Sequence, residues 1–201
     1  MTRYVLYGHP DSGHSYKVRL ALTLLGIDHE YRPVDLSVPR EARRADWRAA
    51  SRFGEVPVLE VDGRPIVQSD AILLHLARAT GRLGWESDPD RLTEWLFWEA
   101  NRIGLSLPNL RLHLKWGPRA EVLEAWLRGR LEADLDRLDE DLTDRLFLMG
   151  ETVSAADVAC CGYLFYADQI ALDLARWPGV GAWLDRIRAL PGWKHPYDLM
   201  V

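Results

Sequence analysis

Apolar and polar positions follow one grammar over residues 1–80 and another afterwards. In the first part, short apolar runs alternate with helical stripes. "RYVLYG" reads as a strand. "SGHSYKVRLALTLLG" reads as a helix, with Val18, Leu20, Leu22, Leu24 and Leu25 apolar and Gly26 in place to end it. "HEYRPVDL" is a second strand and "REARRADWRAAS" a short polar helix. In "FGEVPVLEVDGRPIVQSDAILLHLA", Val56, Val58, Leu59 and Val61 are strand formers. Asp62-Gly63 is a two-residue hairpin signal, and Ile66 and Val67 carry the return strand. Ser69 is expected to cap a helix whose apolar residues Ile72, Leu73 and Leu76 fall at helical spacing. The order is β-α-β-α-β-β-α. A crossover helix between the first two strands predicts a parallel pair, joined to an antiparallel hairpin.

"TGRLGWESDPDR" interrupts this pattern with glycines, charges and a proline, and predicts a linker at 81–90. The chain from 91 to 201 reads as helix throughout. "RLTEWLFWEANRIGLSL" and its continuation to Trp116 predict one long helix or a kinked pair, with Pro108 marking the kink. Between 119 and 142, Val122, Leu123, Trp126, Leu127, Leu131, Leu135 and Leu138 make an amphipathic helix. "SAADVACCGYLFYADQIAL" predicts a buried helix, and "GVGAWLDRIRAL" a shorter one closed by Pro191-Gly192.

Composition narrows the class. A chain of 201 residues, 48% hydrophobic and 27% charged, suits a soluble globular protein of one or two domains. A net charge of -5 argues against nucleic-acid binding, which requires a basic face. "MTRYVLYGHP" carries no signal-peptide pattern, and "AADVACCGYLFYA", which contains Asp157, is too short to span a bilayer. Cys160 and Cys161 are adjacent in a helical pattern and point in different directions, so no disulfide is expected and a reducing, cytoplasmic setting fits. The six histidines are dispersed without metal-ligand spacing. One residue is out of place: Pro57 lies inside a strand, where it removes a ladder donor.

Three pieces, in order, carry a resemblance: "SxxYKVRL" at the start of the first helix, "VPVLEVDGRPIVQSDAILLHL", and "TVSAADV" with its Ser154–Asp157 capping pattern. Together they resemble the cytosolic glutathione S-transferase family, in particular its serine-type, theta- and zeta-like bacterial branches. The resemblance covers essentially the whole chain. It implies a thioredoxin-like α/β domain at 1–80, then an all-α helical domain at 91–201 that carries the electrophile site. It also implies a homodimer, through the helix that starts near Asp70 and the first long C-terminal helix.

The resemblance gives Pro57 a purpose. The matching Val-Pro bond of the family is cis, and Val56 then presents its backbone N–H and C=O to the cysteinyl unit of glutathione as though to an added strand. Gln68 and Ser69 are implied to hold the γ-glutamyl end, where a helix N-terminus favours a carboxylate. The glycyl carboxylate needs a cation, with Arg40, Arg43 and Arg44 in reach; Ser51-Arg52 departs from the family's usual Asn-Pro here.

A free thiol ionises near ~8.5, and lowering this by two pH units takes about 2.7 kcal/mol of preferential thiolate stabilisation. One hydroxyl hydrogen bond and a helix N-terminus are of that order. The loop "PDSGHS" offers both. Counted back from "YKVRL", Ser12 matches the family's active serine and is the first candidate donor to the sulfur, with Tyr7, His14 and Ser15 as rivals. His14 stands where zeta-like enzymes have a cysteine. The lack of a CxxC, and of any cysteine before 160, argues against a thioredoxin, glutaredoxin or cysteine-type transferase. Trp98, Asn101, Arg102 and Leu105 are candidates for contact with a second substrate. The activity implied is thiolate attack on a small hydrophobic electrophile. Alternatives on the same site are a glutathione-dependent isomerase or dehalogenase, a peroxide or disulfide reductase, and a non-catalytic regulatory protein of the same fold.

Overall fold

The computed structural model describes residues 2–201. β1 (Tyr4–Gly8) leads through a short loop into α1 (Gly13–Leu25), which Gly26 ends in the left-handed conformation at φ 69°. β2 (Glu30–Pro33), a 3-10 turn at Arg40–Ala42, α2 (Ala45–Ala50), β3 (Val58–Val61), β4 (Arg64–Val67) and α3 (Ser69–Thr80) complete the first half. The sheet runs β2-β1-β3-β4, with β1 parallel to β2 and antiparallel to β3, and β3 antiparallel to β4. This is the parallel pair plus hairpin that the pattern predicts.

Alternation along β1 divides the interior. Leu6 joins the larger core, which runs from α1 and α3 into the helical half. Val5 and Tyr7 point to the other face and pack with Val34, Trp47, Ala50 and Val58 in a smaller core.

The helical half comprises α4 (Pro89–Asn101), α5 (Ile103–Lys115), α6 (Glu121–Leu142), α7 (Ala155–Cys161), α8 (Pro178–Arg188) and α9 (Pro196–Leu199), with 3-10 segments at Leu164–Ile170 and Leu174–Arg176. The Ser154 cap is made as expected. Its hydroxyl and Asp157 exchange backbone bonds, and Asp157 also accepts from Leu148 N–H at 2.8 Å and from the Trp183 indole at 2.9 Å. α7 packs on α1 and α3, and so joins the two halves.

Three local readings change. The kink after α4 falls at Arg102 (φ -117°, ψ -103°), not at Pro108, which lies inside α5. The chain bends where Gly104 comes against Glu99: a Cβ there would stand 2.8 Å from the Glu99 carbonyl oxygen, a space only glycine tolerates. The helix of "SAADVACCGYLFYADQIAL" stops at Cys161 and resumes as a 3-10 turn. Ser69 is the first residue of α3 and Gln68 its N-cap, at φ 71° and without a side-chain cap bond, so the Ser69 hydroxyl is not spent on capping.

Candidate active site

A cleft of about 960 Å³ opens between the two halves. One wall belongs to the α/β half and includes Ser12, His14, Arg43, Val56, Pro57, Gln68 and Ser69. All seven residues expected to contact glutathione therefore line one cavity. The Val56-Pro57 bond is cis. β3 begins only at Val58, and neither backbone polar group of Val56 takes a partner among the described residues. Gln68 reaches back to Glu55 at 2.9 Å, while the Ser69 hydroxyl has no protein partner among the described residues. Arg43 donates to the Val38 carbonyl at 3.0 Å and the Leu36 carbonyl at 3.3 Å, its guanidinium over the Trp47 ring. Arg40 instead donates to Ser51 C=O, and Arg44 pairs with Asp46.

Ser12 caps α1: its Oγ accepts the Ser15 N–H at 3.1 Å. This places a hydroxyl at the positive end of the helix, at the floor of the cleft. The rivals stand differently. Tyr7 is fully buried in the smaller core, and its phenol bonds Arg32 at 3.0 Å and Glu60 at 3.4 Å. Ser15 is buried beneath Ser12, and its Oγ is unpaired among the described residues. His14 lines the cleft, but burial pushes its pKa down to about 3, so it is neutral and offers a thiolate no positive charge.

The opposite wall comes from α4, α5 and Tyr163, and includes Ala100, Gly104, Pro108, Arg111, Leu112 and Trp116. Trp98, Asn101, Arg102 and Leu105, expected from sequence to face a second substrate, are not in this lining. Trp98 packs edge-on against Trp95 in a separate hollow, Asn101 is exposed, and Arg102 pairs with buried Asp134 at 2.7 Å. The phase of the helix explains the difference. Each residue turns an α-helix by about 100°, so a stripe chosen one or two positions away faces elsewhere.

Sequence reading also missed the residues that shape the loop. Arg111 is 2% exposed and binds the Asp11 carbonyl and carboxylate, each at 2.7 Å. Tyr166 donates to the Pro10 carbonyl at 2.6 Å. The backbone of the loop before Ser12 is therefore held from the helical half. The available signal was an arginine on an apolar helix stripe, between Leu107, Leu110 and Leu114. Below the cleft, fully buried Lys17 pairs with Asp70 at 2.7 Å and Glu99 at 2.9 Å. Among the described residues no group of three or more potential ligands could hold a metal ion, and no helix is long and apolar enough to cross a membrane.

Comparison with known proteins agrees with this architecture. Residues 6–83 match the family model for the glutathione S-transferase N-terminal domain, and 120–186 that for its C-terminal domain. A glutathione S-transferase crystal structure from Pseudomonas fluorescens superposes with a TM-score of 0.85 at 32% identity, covering 96% of this chain and 98% of that one. Maleylacetoacetate isomerase of Pseudomonas aeruginosa is 29% identical over 95% of both chains. The disulfide-bond oxidoreductase YfcG of Escherichia coli is 29% identical over 89% of this chain and 87% of its own. With both domains matched and this likeness spanning nearly the full length, the chain belongs to the cytosolic glutathione S-transferase family.

Proposed function

We propose that the protein is a glutathione transferase that uses Ser12 to stabilise the glutathione thiolate for attack on a small hydrophobic electrophile. The observation that carries this reading is the convergence on one cleft of the Ser12 hydroxyl at the start of α1, the unpaired Val56 backbone and the free Ser69 hydroxyl at the start of α3. Glutathione lies with its cysteinyl amide groups paired to Val56 and its γ-glutamyl carboxylate at Ser69 and Gln68. Arg43 serves the glycyl carboxylate. The thiol proton leaves to water, and Ser12 donates its hydrogen bond to the sulfur without itself ionising. The sulfur lone pair then forms a carbon–sulfur bond as the leaving group departs with its bonding pair. Half-exposed Leu112 and Trp116, with Pro108, offer an apolar seat for a flat electrophile.

The relatives named as an isomerase and a disulfide oxidoreductase favour a second reading, in which the same thiolate adds reversibly or attacks a disulfide. Cys160 and Cys161 are buried on α7, so in that case the attacking sulfur is that of glutathione, and the disulfide substrate supplies the sulfur that is attacked and the one that leaves as a thiolate. A homodimer through the outer faces of α3 and α4 belongs to the same proposal and is supported by Phe97, 74% exposed on α4. The free cysteines are consistent with a reducing cytoplasm, where glutathione is abundant.

The test is a glutathione titration by tryptophan fluorescence, with thiolate ultraviolet absorbance across pH, on wild type and Ser12→Ala. Saturable binding, with a thiol pKa lowered in wild type and raised in the variant, supports the reading; absence of binding ends it. Turnover of chlorodinitrobenzene against hydroperoxides or mixed disulfides separates transferase from reductase. Light scattering reads the dimer.

A further inference from the structure

The loop before Ser12 is anchored from one side. Among the described residues, every side-chain hydrogen bond that reaches Pro10 or Asp11 from outside the loop starts in the helical half. The loop's own turn adds two bonds, from Ser12 N–H to the His9 carbonyl at 3.0 Å and from Asp11 N–H to His9 Nδ1 at 3.1 Å. One of the outside anchors is Tyr197, on the four-residue α9 near the far end of the chain. A phenol oxygen has one proton to give and can accept as well. The Gln169 amide and the Arg111 guanidinium, which can only donate, reach the Tyr197 oxygen at 3.1 and 3.2 Å, with Lys115 at 3.4 Å. The phenol proton is therefore left for the Asp11 carboxylate, at 2.6 Å. α9 is itself fixed to the other half. Tyr16 on α1 donates to the Lys194 carbonyl at 3.1 Å, and Leu199 and Met200 lie in the larger core.

Tyr197 is not part of the cleft lining, so any effect it has on the thiol passes through Asp11. Asp11 directly precedes Ser12, and a rotation of its backbone moves the Ser12 hydroxyl. We propose that Tyr197 is a positioning residue of the thiol site, fixing through Asp11 the backbone from which Ser12 points its hydroxyl at the glutathione sulfur. A hydrogen bond weakens as its distance and angle drift, and a group that serves chemistry must be held to within about 0.5 Å. The last turn of the chain is thereby part of the apparatus that sets thiol acidity. The inference rests on the glutathione reading above and adds to it a residue that touches neither substrate.

Tyr197→Phe retains the ring, which packs edge-on against Tyr166, and removes only the oxygen. Thiolate absorbance of bound glutathione is followed across pH in wild type, Tyr197→Phe, Ser12→Ala and the double variant. Affinity for S-methylglutathione, which has no thiol proton, is measured alongside. In Tyr197→Phe the thiol midpoint is expected to rise by about half to one pH unit, with S-methylglutathione affinity within about twofold of wild type. The double variant should match Ser12→Ala alone, because Tyr197 acts only through Ser12. An unchanged or lowered midpoint, or fully additive effects, overturns the inference and leaves the transferase reading standing. So does a tenfold fall in S-methylglutathione affinity, which would mean that the whole site has loosened. A wild type that binds no glutathione removes both.

Discussion

Tyr197 donates its phenolic proton to Asp11 at 2.6 Å, across 186 positions of sequence. The bond ties α9 to the loop that carries Ser12. Arg111 and Lys115 converge on the same carboxylate at 2.7 and 3.0 Å, and Gln169 bridges Arg111 to Tyr197. The geometry of the Ser12 loop therefore depends on residues from α5, from the 3-10 segment after α7 and from the C-terminal turn.

Replacing Asp11 with Asn should cost about 2 kcal/mol of unfolding free energy, because the Arg111 guanidinium, 2% exposed, loses its counter-charge. Burial pushes the Asp11 pKa up, but hydrogen bonds from Tyr197, Lys115 and Arg111 outweigh it and hold the carboxyl at about 2, below its ordinary 3.8. A depressed carboxyl stabilises the fold above its unfolded pKa and loses that contribution as pH falls toward the folded value. Urea midpoints measured down the acid limb should fall for wild type and fall less for Asp11→Asn. Parallel curves would contradict this account.

The opposite sign applies to Glu99. Burial pushes its carboxyl up to about 8 from an ordinary 4.5, against the pull of Lys17. A raised carboxyl contributes most below its unfolded pKa, and the contribution fades as pH climbs through the folded one. Between 4.5 and about 8, stability should therefore decline with rising pH, and Glu99→Gln should flatten that slope. Equal slopes in chemical denaturation would sink the assignment.

Gly13→Ala drives a methyl against the Tyr163 ring, which a Cβ would approach to 2.5 Å. Overpacking of this kind costs about 1–3 kcal/mol. Adding Tyr163→Ala removes the obstruction, so the double variant should be less destabilised than the two single costs added together. Simple additivity would mean that the two residues do not press on each other.

Ser69→Ala removes a hydroxyl that holds no protein group among the described residues. Its stability should stay within about 0.5 kcal/mol of wild type. Glutathione affinity should drop about tenfold to hundredfold, the worth of one hydrogen bond to a charged group. A variant that binds normally would remove Ser69 from the γ-glutamyl site.

Local grammar settled much of this molecule. Gly26 stops α1, Asp62-Gly63 turns the hairpin, and Ser154 with Asp157 starts α7, because each signal is read over a few neighbouring residues. That the residues proposed for glutathione share one cleft was legible for the same reason: Ser12, Val56, Pro57, Gln68 and Ser69 lie in short contiguous motifs that come to one face as the sheet forms. Only the tertiary structure decided the rest. Which stripe of α4 and α5 faces the cleft follows from a bend at Arg102, imposed by the contact of Gly104 with Glu99, and helical periodicity cannot set that phase. Tyr7 stands outside the cleft lining because strand alternation turns it into the smaller core. Arg111, Tyr163 and Tyr197 reach the Ser12 loop from roughly 100 to 186 positions away. Contacts at such separation leave no mark on the intervening sequence. They exist because the larger core draws α7 onto α1, and burial there is not directional until the chain has closed.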